Sequence, residues 1–253
     1  MIDLTGRVAL VTGSSRGIGR ATALTLAAAG ADVILNYCTS RIACCEVAEE
    51  VLCLGRQVWV VKADVAEEED AAALMEFVKS RIGRLDILVS NAATGGFRPL
   101  LSSRASHFQH AMGTNVLALV WLVREALPLL SAGPHRGKVI ALSSHGADVA
   151  VPWYGLVGGS KAALESVARH LTLEVGDHVN VNLVKPGLVD TDSTKKIPGV
   201  EAMFANRTAE AMVGERLLTE QDIANAIAFL ASDLSDMIQG QTITVDGGTA
   251  VHV

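Results

Sequence analysis

The sequence predicts one α/β domain built on a doubly wound parallel sheet of about seven strands, flanked by helices. Three observations lead there. Short Val/Ile/Leu-rich runs alternate with amphipathic stretches along the 253-residue chain. A glycine-rich turn, Gly13-Ser14-Ser15-Arg16-Gly17-Ile18-Gly19, joins the first run to the first amphipathic stretch. Half of the residues are hydrophobic but only 4% are aromatic, and 23 are glycine. That composition suits aliphatic strands buried on both faces beneath alanine-rich helices. The length suffices for a single large domain, and no linker or repeat divides residues 1–253.

In order, Arg7-Val8-Ala9-Leu10-Val11-Thr12 is a strand, 13–19 the turn, and 20–29 a helix ended by Gly30. Strand 32–36, helix 41–54 and strand 57–61 complete a β-α-β-α-β half-sheet. A helix follows over 67–81, a strand over 86–89, helices within 104–131, a strand over 138–142, a helix over 155–175 and a strand over 178–184. The pattern weakens over 188–216, where Pro198, Gly199 and Gly214 interrupt a short helix. That stretch is too long for an ordinary connection and is read as a substrate loop. A helix over 219–231 and a strand over 241–245 close the domain.

The net charge of −6 argues against nucleic acid or an anionic membrane as the main partner. The first residues lack a basic segment followed by an apolar one, and glycines or charges break the longest apolar runs. A cytoplasmic location is the resulting expectation. Cys38, Cys44, Cys45 and Cys53 match no zinc spacing, and the seven histidines show no paired metal spacing, so no metal is expected.

Two stretches carry chemistry. In the glycine turn, Gly13, Gly17 and Gly19 permit positive φ and close approach of a pyrophosphate. Ser15 and Ile18 complete the turn, and the helix start offers N–H groups with partial positive charge. The second strand ends Asn36-Tyr37-Cys38, without the acid that would bind a ribose 2′-hydroxyl. Arg16 and Arg41 stand nearby and suit a 2′-phosphate, hence NADPH rather than NADH. Asp64-Val65, Asn91-Ala92-Ala93 and Pro186-Gly187 sit at other strand ends, where ligands bind in open parallel sheets. Asp64 would hold an adenine amine, and the two alanines would let a flat group pass.

The second stretch runs from Ser143-Ser144 through Tyr154 to Lys161. The serines end a buried strand, and the tyrosine and lysine share one helix face, two turns or roughly 10 Å apart. Such a set is a proton-donating site in which the ammonium is expected to lower the phenol's pKa.

Thr12 to Gly19, Asn91-Ala92-Ala93, Asn115, Ser144, Lys161, Pro186-Gly187 and Val245-Asp246-Gly247-Gly248 together resemble the short-chain dehydrogenase/reductase superfamily, over almost the whole chain. The resemblance implies a Rossmann-type sheet, hydride transfer with a nicotinamide cofactor, and a homotetramer. It further implies that Ser144 orients the substrate oxygen, Lys161 holds the nicotinamide ribose, Asn115 carries a proton-relay water and Thr191 sits by the carboxamide. One position departs. The superfamily's tyrosine stands four residues before the lysine, and here that residue is Val157. Tyr154 instead gives Tyr-x6-Lys, the spacing of enoyl-acyl carrier protein reductases. Asn36-Tyr37, Arg98-Pro99 and Asp236-Met237-Ile238-Gln239-Gly240 are similar to the NADPH-dependent members of that group.

The spacing has a physical reading. In a ketone, the carbon that accepts hydride also bears the oxygen to be protonated. In a 2-enoyl thioester, hydride goes to the β-carbon while charge gathers on an oxygen two bonds further on, so the acid must stand further from the cofactor. The resemblance, with which this reading of the spacing is consistent, implies reduction of a 2-enoyl thioester in fatty-acid or polyketide assembly. A carbonyl reductase and a catalytically silent NADPH-binding scaffold are the alternatives. If an acyl carrier protein docks, Arg98, Arg104, Lys195 and Lys196 are the basic residues expected near the pocket mouth.

Overall fold

The computed structural model describes residues 2–213 and 216–251. Seven strands form one parallel sheet in the order β3-β2-β1-β4-β5-β6-β7. The strands are β1 Val8–Val11, β2 Asp32–Tyr37, β3 Val58–Lys62, β4 Ile87–Ser90, β5 Gly137–Leu142, β6 Val179–Pro186 and β7 Thr242–Val245. Chain direction across the sheet reverses between β1 and β4. That break opens a crevice at the carboxyl ends of the strands.

Strand alternation explains the two cores. Leu10, Leu88, Val139 and Leu183 point to one face, where Leu119, Leu122 and Leu164 cover them. Val11, Val89, Ile140 and Val184 point to the other, packed with Leu26, Leu35 and Ile227. Both faces are apolar, so the strands read as continuous hydrophobic runs. At the opposite, amino-terminal edge, the fully buried Lys138 donates to Asn180 (3.0 Å) and Asp236 (2.5 Å). Asp86 there accepts from the Val8 amide at 2.8 Å and pairs with Arg84, the structural role its position suggests.

Among the described residues eight α-helices surround the sheet: α1 Gly17–Ala28, α2 Arg41–Cys53, α3 Glu68–Arg81, α4 Ala105–Met112, α5 Ala118–Leu130, α6 Gly155–Val175, α7 Val200–Glu210 and α8 Glu220–Ala231. Three differ from the sequence expectation. The first helix starts at Gly17 rather than Arg20, so the last glycines of the turn already form its first turn. A π-helical turn, Gly113–Leu117, fuses α4 to α5. The resulting run Ala105–Leu130 is long and apolar enough to cross a membrane by length and composition, contrary to the expectation of broken apolar runs. Half of its apolar window is buried in this chain's own core.

The third difference lies in 188–216, which contains α7. Pro198-Gly199 starts that helix instead of interrupting it. Gly199, at φ +75°, takes the left-handed turn that feeds Val200 into the first helical position. Gly214 lies outside the described residues.

Candidate active site

The crevice begins at the glycine turn. Gly13 and Gly17 have φ of +63° and +56°, and a Cβ at Gly19 would overlap the Gly13 carbonyl. Asn91, leaving β4, fastens this turn: its side-chain amide donates to the carbonyls of Thr12 (2.8 Å) and Gly13 (3.2 Å). The Thr12 hydroxyl accepts in return from the Asn91 and Ala92 amides, both at 3.0 Å. Asn36, buried at the end of β2, accepts from the Gly13 amide and donates to the Ala63 carbonyl. This carboxamide links three strand ends and leaves no carboxylate where a 2′-hydroxyl would lie.

Beyond the turn stretches a cleft of about 650 Å³, within the range of small-molecule and cofactor sites. Gly13, Ser15, Arg16, Gly17, Ile18, Gly19, Asp64, Val65, Asn91 and Ala92 line one part; Ser144, Tyr154, Lys161, Pro186, Gly187 and Thr191 line the other. Arg41 and Asn115 do not line it. Arg41 opens α2 on the surface, just past Thr39 and Ser40, which do reach the cleft. Arg16 is well exposed and only 3.9 Å from Asp192, a loose surface pairing that leaves its guanidinium able to meet an anion. The groove thus has the glycine cradle, the backbone access and the cation that a phosphorylated dinucleotide needs.

At the other end, the Tyr154 hydroxyl donates to Ser144 Oγ at 3.1 Å, and the Gly146 amide donates to the same oxygen at 3.3 Å. Burial pushes the Tyr154 phenol up, against the opposing effect of the Ser144 contact. The expected lowering by Lys161 is therefore not what the structure gives. Lys161 donates to the Leu142 carbonyl at 2.6 Å instead, and burial without a countercharge pulls its ammonium down to about 8. The spacing argument predicted a charge effect but could not register how dry the site is.

Tyr154 occupies a tight slot. Its ring stacks on Phe97 with centroids 5.9 Å apart and planes 19° apart. Gly146 lies against the other atoms of the ring, where a Cβ would approach to 2.5 Å. Val157, at the superfamily's usual acid position, is buried, and a Cβ at Gly95 would overlap its Cγ2. Asn115, on the π-turn, accepts from the Thr94 amide at 2.9 Å and donates to the Thr94 carbonyl (2.9 Å) and to Ser160 Oγ (2.8 Å). Ser160 in turn donates to the Val157 carbonyl at 2.7 Å. In this structure Asn115 clamps the 94–98 loop to α6 rather than opening onto the cleft.

The sequence reading named Ser143 but not the partners Glu165, Lys185 and Asp148 that it meets in the fold. Ser143, Glu165, Lys185 and Asp148 form a hydrogen-bonded chain behind the serine, with Lys185 Nζ 3.0 Å from Glu165. Burial lowers Lys185, but the two carboxylates outweigh it and leave the ammonium above its ordinary value. A lysine inside the apolar β6 and a glutamate one turn after Lys161 were the available signals. His145 is half-buried, with its Nε2 atom out of solvent and 3.1 Å from Asp246, close enough for an ion pair but not aligned as a hydrogen bond. His110 and Thr114 also line the cleft. Among the described residues no group of metal-ligating side chains assembles, and all four cysteines are free.

Comparison with known proteins agrees with this geometry. Residues 13–250 match the family described as enoyl-(acyl carrier protein) reductase. The chain is 38% identical to 1-cyclohexenylcarbonyl-CoA reductase of Streptomyces collinus, across 97% of this chain and 87% of that one. It is 34% identical to versicolorin reductase 1 of Dothistroma septosporum, across 97% and 96%. A short-chain dehydrogenase from Burkholderia cenocepacia J2315, solved in complex with NADP, superposes with TM-score 0.89 and 31% identity over 98% and 99% of the two chains.

The isolated Lys161 ammonium makes a stability prediction. Its pKa in the fold, about 8, lies below an ordinary lysine value of about 10.4. The charged form therefore weakens folding below about pH 8, and the penalty fades as pH rises toward 10.4. Urea unfolding of wild type and Lys161→Met should find wild type gaining on the variant between pH 7.5 and about 10. A stability difference that does not change with pH would show that Lys161 is not buried as a bare cation.

Proposed function

Since the chain belongs to the short-chain dehydrogenase/reductase superfamily, within its enoyl-reductase-like family, and is an oxidoreductase, we propose that it reduces 2-enoyl thioesters with NADPH. One observation carries this reading. The only phenol facing the reaction end of the cleft is Tyr154, six intervening residues before Lys161, while Val157 is sealed beneath Gly95.

NADPH, when bound, supplies the hydride, which goes to the β-carbon of the substrate. The π pair of the double bond then moves toward the thioester oxygen. Ser144 and Tyr154 present two hydroxyls 3.1 Å apart to that oxygen. Because burial raises the Tyr154 pKa, the phenol stays protonated until negative charge develops, which suits a donor. Tyr154 holds that oxygen by a hydrogen bond, or lends it a proton that returns to the phenolate as the α-carbon takes its proton from solvent and the carbonyl re-forms. Lys161 spends one of its three N–H donors on Leu142 and keeps two for ribose hydroxyls.

The named relative that acts on a CoA ester supports a thioester substrate. We extend the proposal to an acyl carrier protein as the donor in fatty-acid or polyketide assembly, and to a cytoplasmic homotetramer. Reduction of a ketone is the second reading, favoured by the same hydroxyl pair, which would serve a carbinol oxygen equally well. Preference for NADPH rests on the missing acid after β2 and on Arg16, with Arg41 further out.

Arg16→Ala should weaken NADPH by about 1.5–3 kcal/mol, roughly 10- to 100-fold in Kd, and leave NADH nearly unchanged. Arg41→Ala should do less, and adding it to Arg16→Ala should widen the gap only slightly. Equal losses for both cofactors in titration calorimetry would make the arginines structural.

Tyr154→Phe keeps the stack on Phe97 and deletes the hydroxyl. It should lower turnover of a 2-enoyl thioester by about 10²–10⁴-fold at unchanged melting temperature. Wild type should be slow with a 3-oxoacyl thioester. Robust 3-oxoacyl reduction that survives in Tyr154→Phe would sink the enoyl reading.

A further inference from the structure

The segment before Tyr154 breaks a rule of turn chemistry. The Tyr154 amide donates to the Val151 carbonyl at 3.1 Å, so 151–154 closes as a β-turn. Pro152 takes its second position, and Trp153 takes the third with φ +66°. Proline followed by positive φ is a type II turn, whose third position suits glycine or asparagine. Among the described residues Trp153 is the one non-glycine residue with positive φ. A large aromatic thus stands where a glycine would satisfy the backbone without strain.

The residue also stays 42% exposed, so its retention is not explained by core packing. Its backbone is fixed from the facing loop, where the Arg98 amide donates to the Trp153 carbonyl at 2.9 Å. Phe97 on that loop stacks on Tyr154. The 58% exposed Leu100 lies over Gly155, 3.2 Å from where a Cβ would stand. Apolar contacts thus hold the two residues that follow Trp153, Tyr154 and Gly155, and Trp153 stands one residue from the phenol.

We infer that Trp153, one residue from the Tyr154 that lines the cleft and itself outside that lining, is a specificity-determining residue, an apolar wall for the far part of the acyl group, kept at the expense of turn strain. It favours bulky or extended acyl groups over short ones. This rests on the proposed thioester reduction but adds the substrate class. A strained residue at a functional position predicts opposite effects on stability and selectivity when it is relieved.

The test compares wild type, Trp153→Gly and Trp153→Phe with crotonyl-CoA and trans-2-decenoyl-CoA at saturating NADPH. Trp153→Gly should melt about 2–4 °C higher. Its KM for the decenoyl ester should rise roughly tenfold or more, with crotonyl KM within about twofold and kcat little changed. Trp153→Phe should keep most of the decenoyl preference. In parallel, decanoyl-CoA added to the enzyme with NADP⁺ should quench tryptophan fluorescence in wild type and not in Trp153→Phe. Quenching without turnover of either ester would support the wall and count against thioester reduction. Turnover with an unchanged ester ratio in Trp153→Gly would overturn the wall alone. An altered oligomeric state on size exclusion with unchanged ester ratio would also overturn it, by assigning the ring to a subunit contact.

Discussion

The Asn115 carboxamide is the contact on which the geometry of the reaction end depends. Through three hydrogen bonds it fixes both backbone groups of Thr94 and reaches Ser160 on α6. A loop held this close to a helix needs residues without side chains, and Gly95 lies against Val157 accordingly. The clamp has two consequences. It buries position 157, and it sets Phe97 against the Tyr154 ring. The π-turn that carries Asn115 is a costly irregularity in a helix, of the kind that persists where a side chain must be placed for function.

Electrostatics then separates two lysines that sit close to the site. Lys161 has no carboxylate partner and is left as a weak base in a dry pocket. Lys185 is held charged by Glu165 and Asp148. The second arrangement anchors Ser143, and with it the adjoining Ser144, to α6 and to the end of β6. The serine that meets the Tyr154 hydroxyl is thereby positioned from behind by an ion-paired network, while the ammonium that faces the cleft stays available. Buried polar groups of this kind are stable only when each has a partner.

Much of the fold could be read from periodicity. The strand runs are apolar on both faces, so their order and approximate bounds follow from composition and glycine punctuation, and the cleft lies where the glycine turn and Pro186-Gly187 require. What could not be read depends on contacts between distant residues or on burial. Asn115 finds its partner 21 positions away, and nothing local marks it as a clamp. Glu165 and Lys185 become a pair only once α6 crosses β6. The start of α7 at Val200 was hidden because Pro198-Gly199 looks the same whether it ends a helix or begins one. Arg41 opens α2 as the sequence suggests, but how far its exposed side chain stands from the cleft lining depends on the packing of that helix. The direction of the Tyr154 shift reversed because dryness outweighs a nearby charge.

The central proposal is that the sealed position 157 and the displaced phenol favour hydride addition at the β-carbon of an enoyl thioester over addition at a carbonyl carbon. The regiochemistry of label transfer tests that claim most directly. Wild-type enzyme would be given crotonyl and acetoacetyl thioesters with 4-deuterated NADPH, and the products read by NMR. The account predicts deuterium at C3 of a butyryl thioester from the crotonyl substrate and little product from the acetoacetyl one. Deuterium on the carbinol carbon of a 3-hydroxybutyryl thioester, with none in a butyryl product, would contradict it.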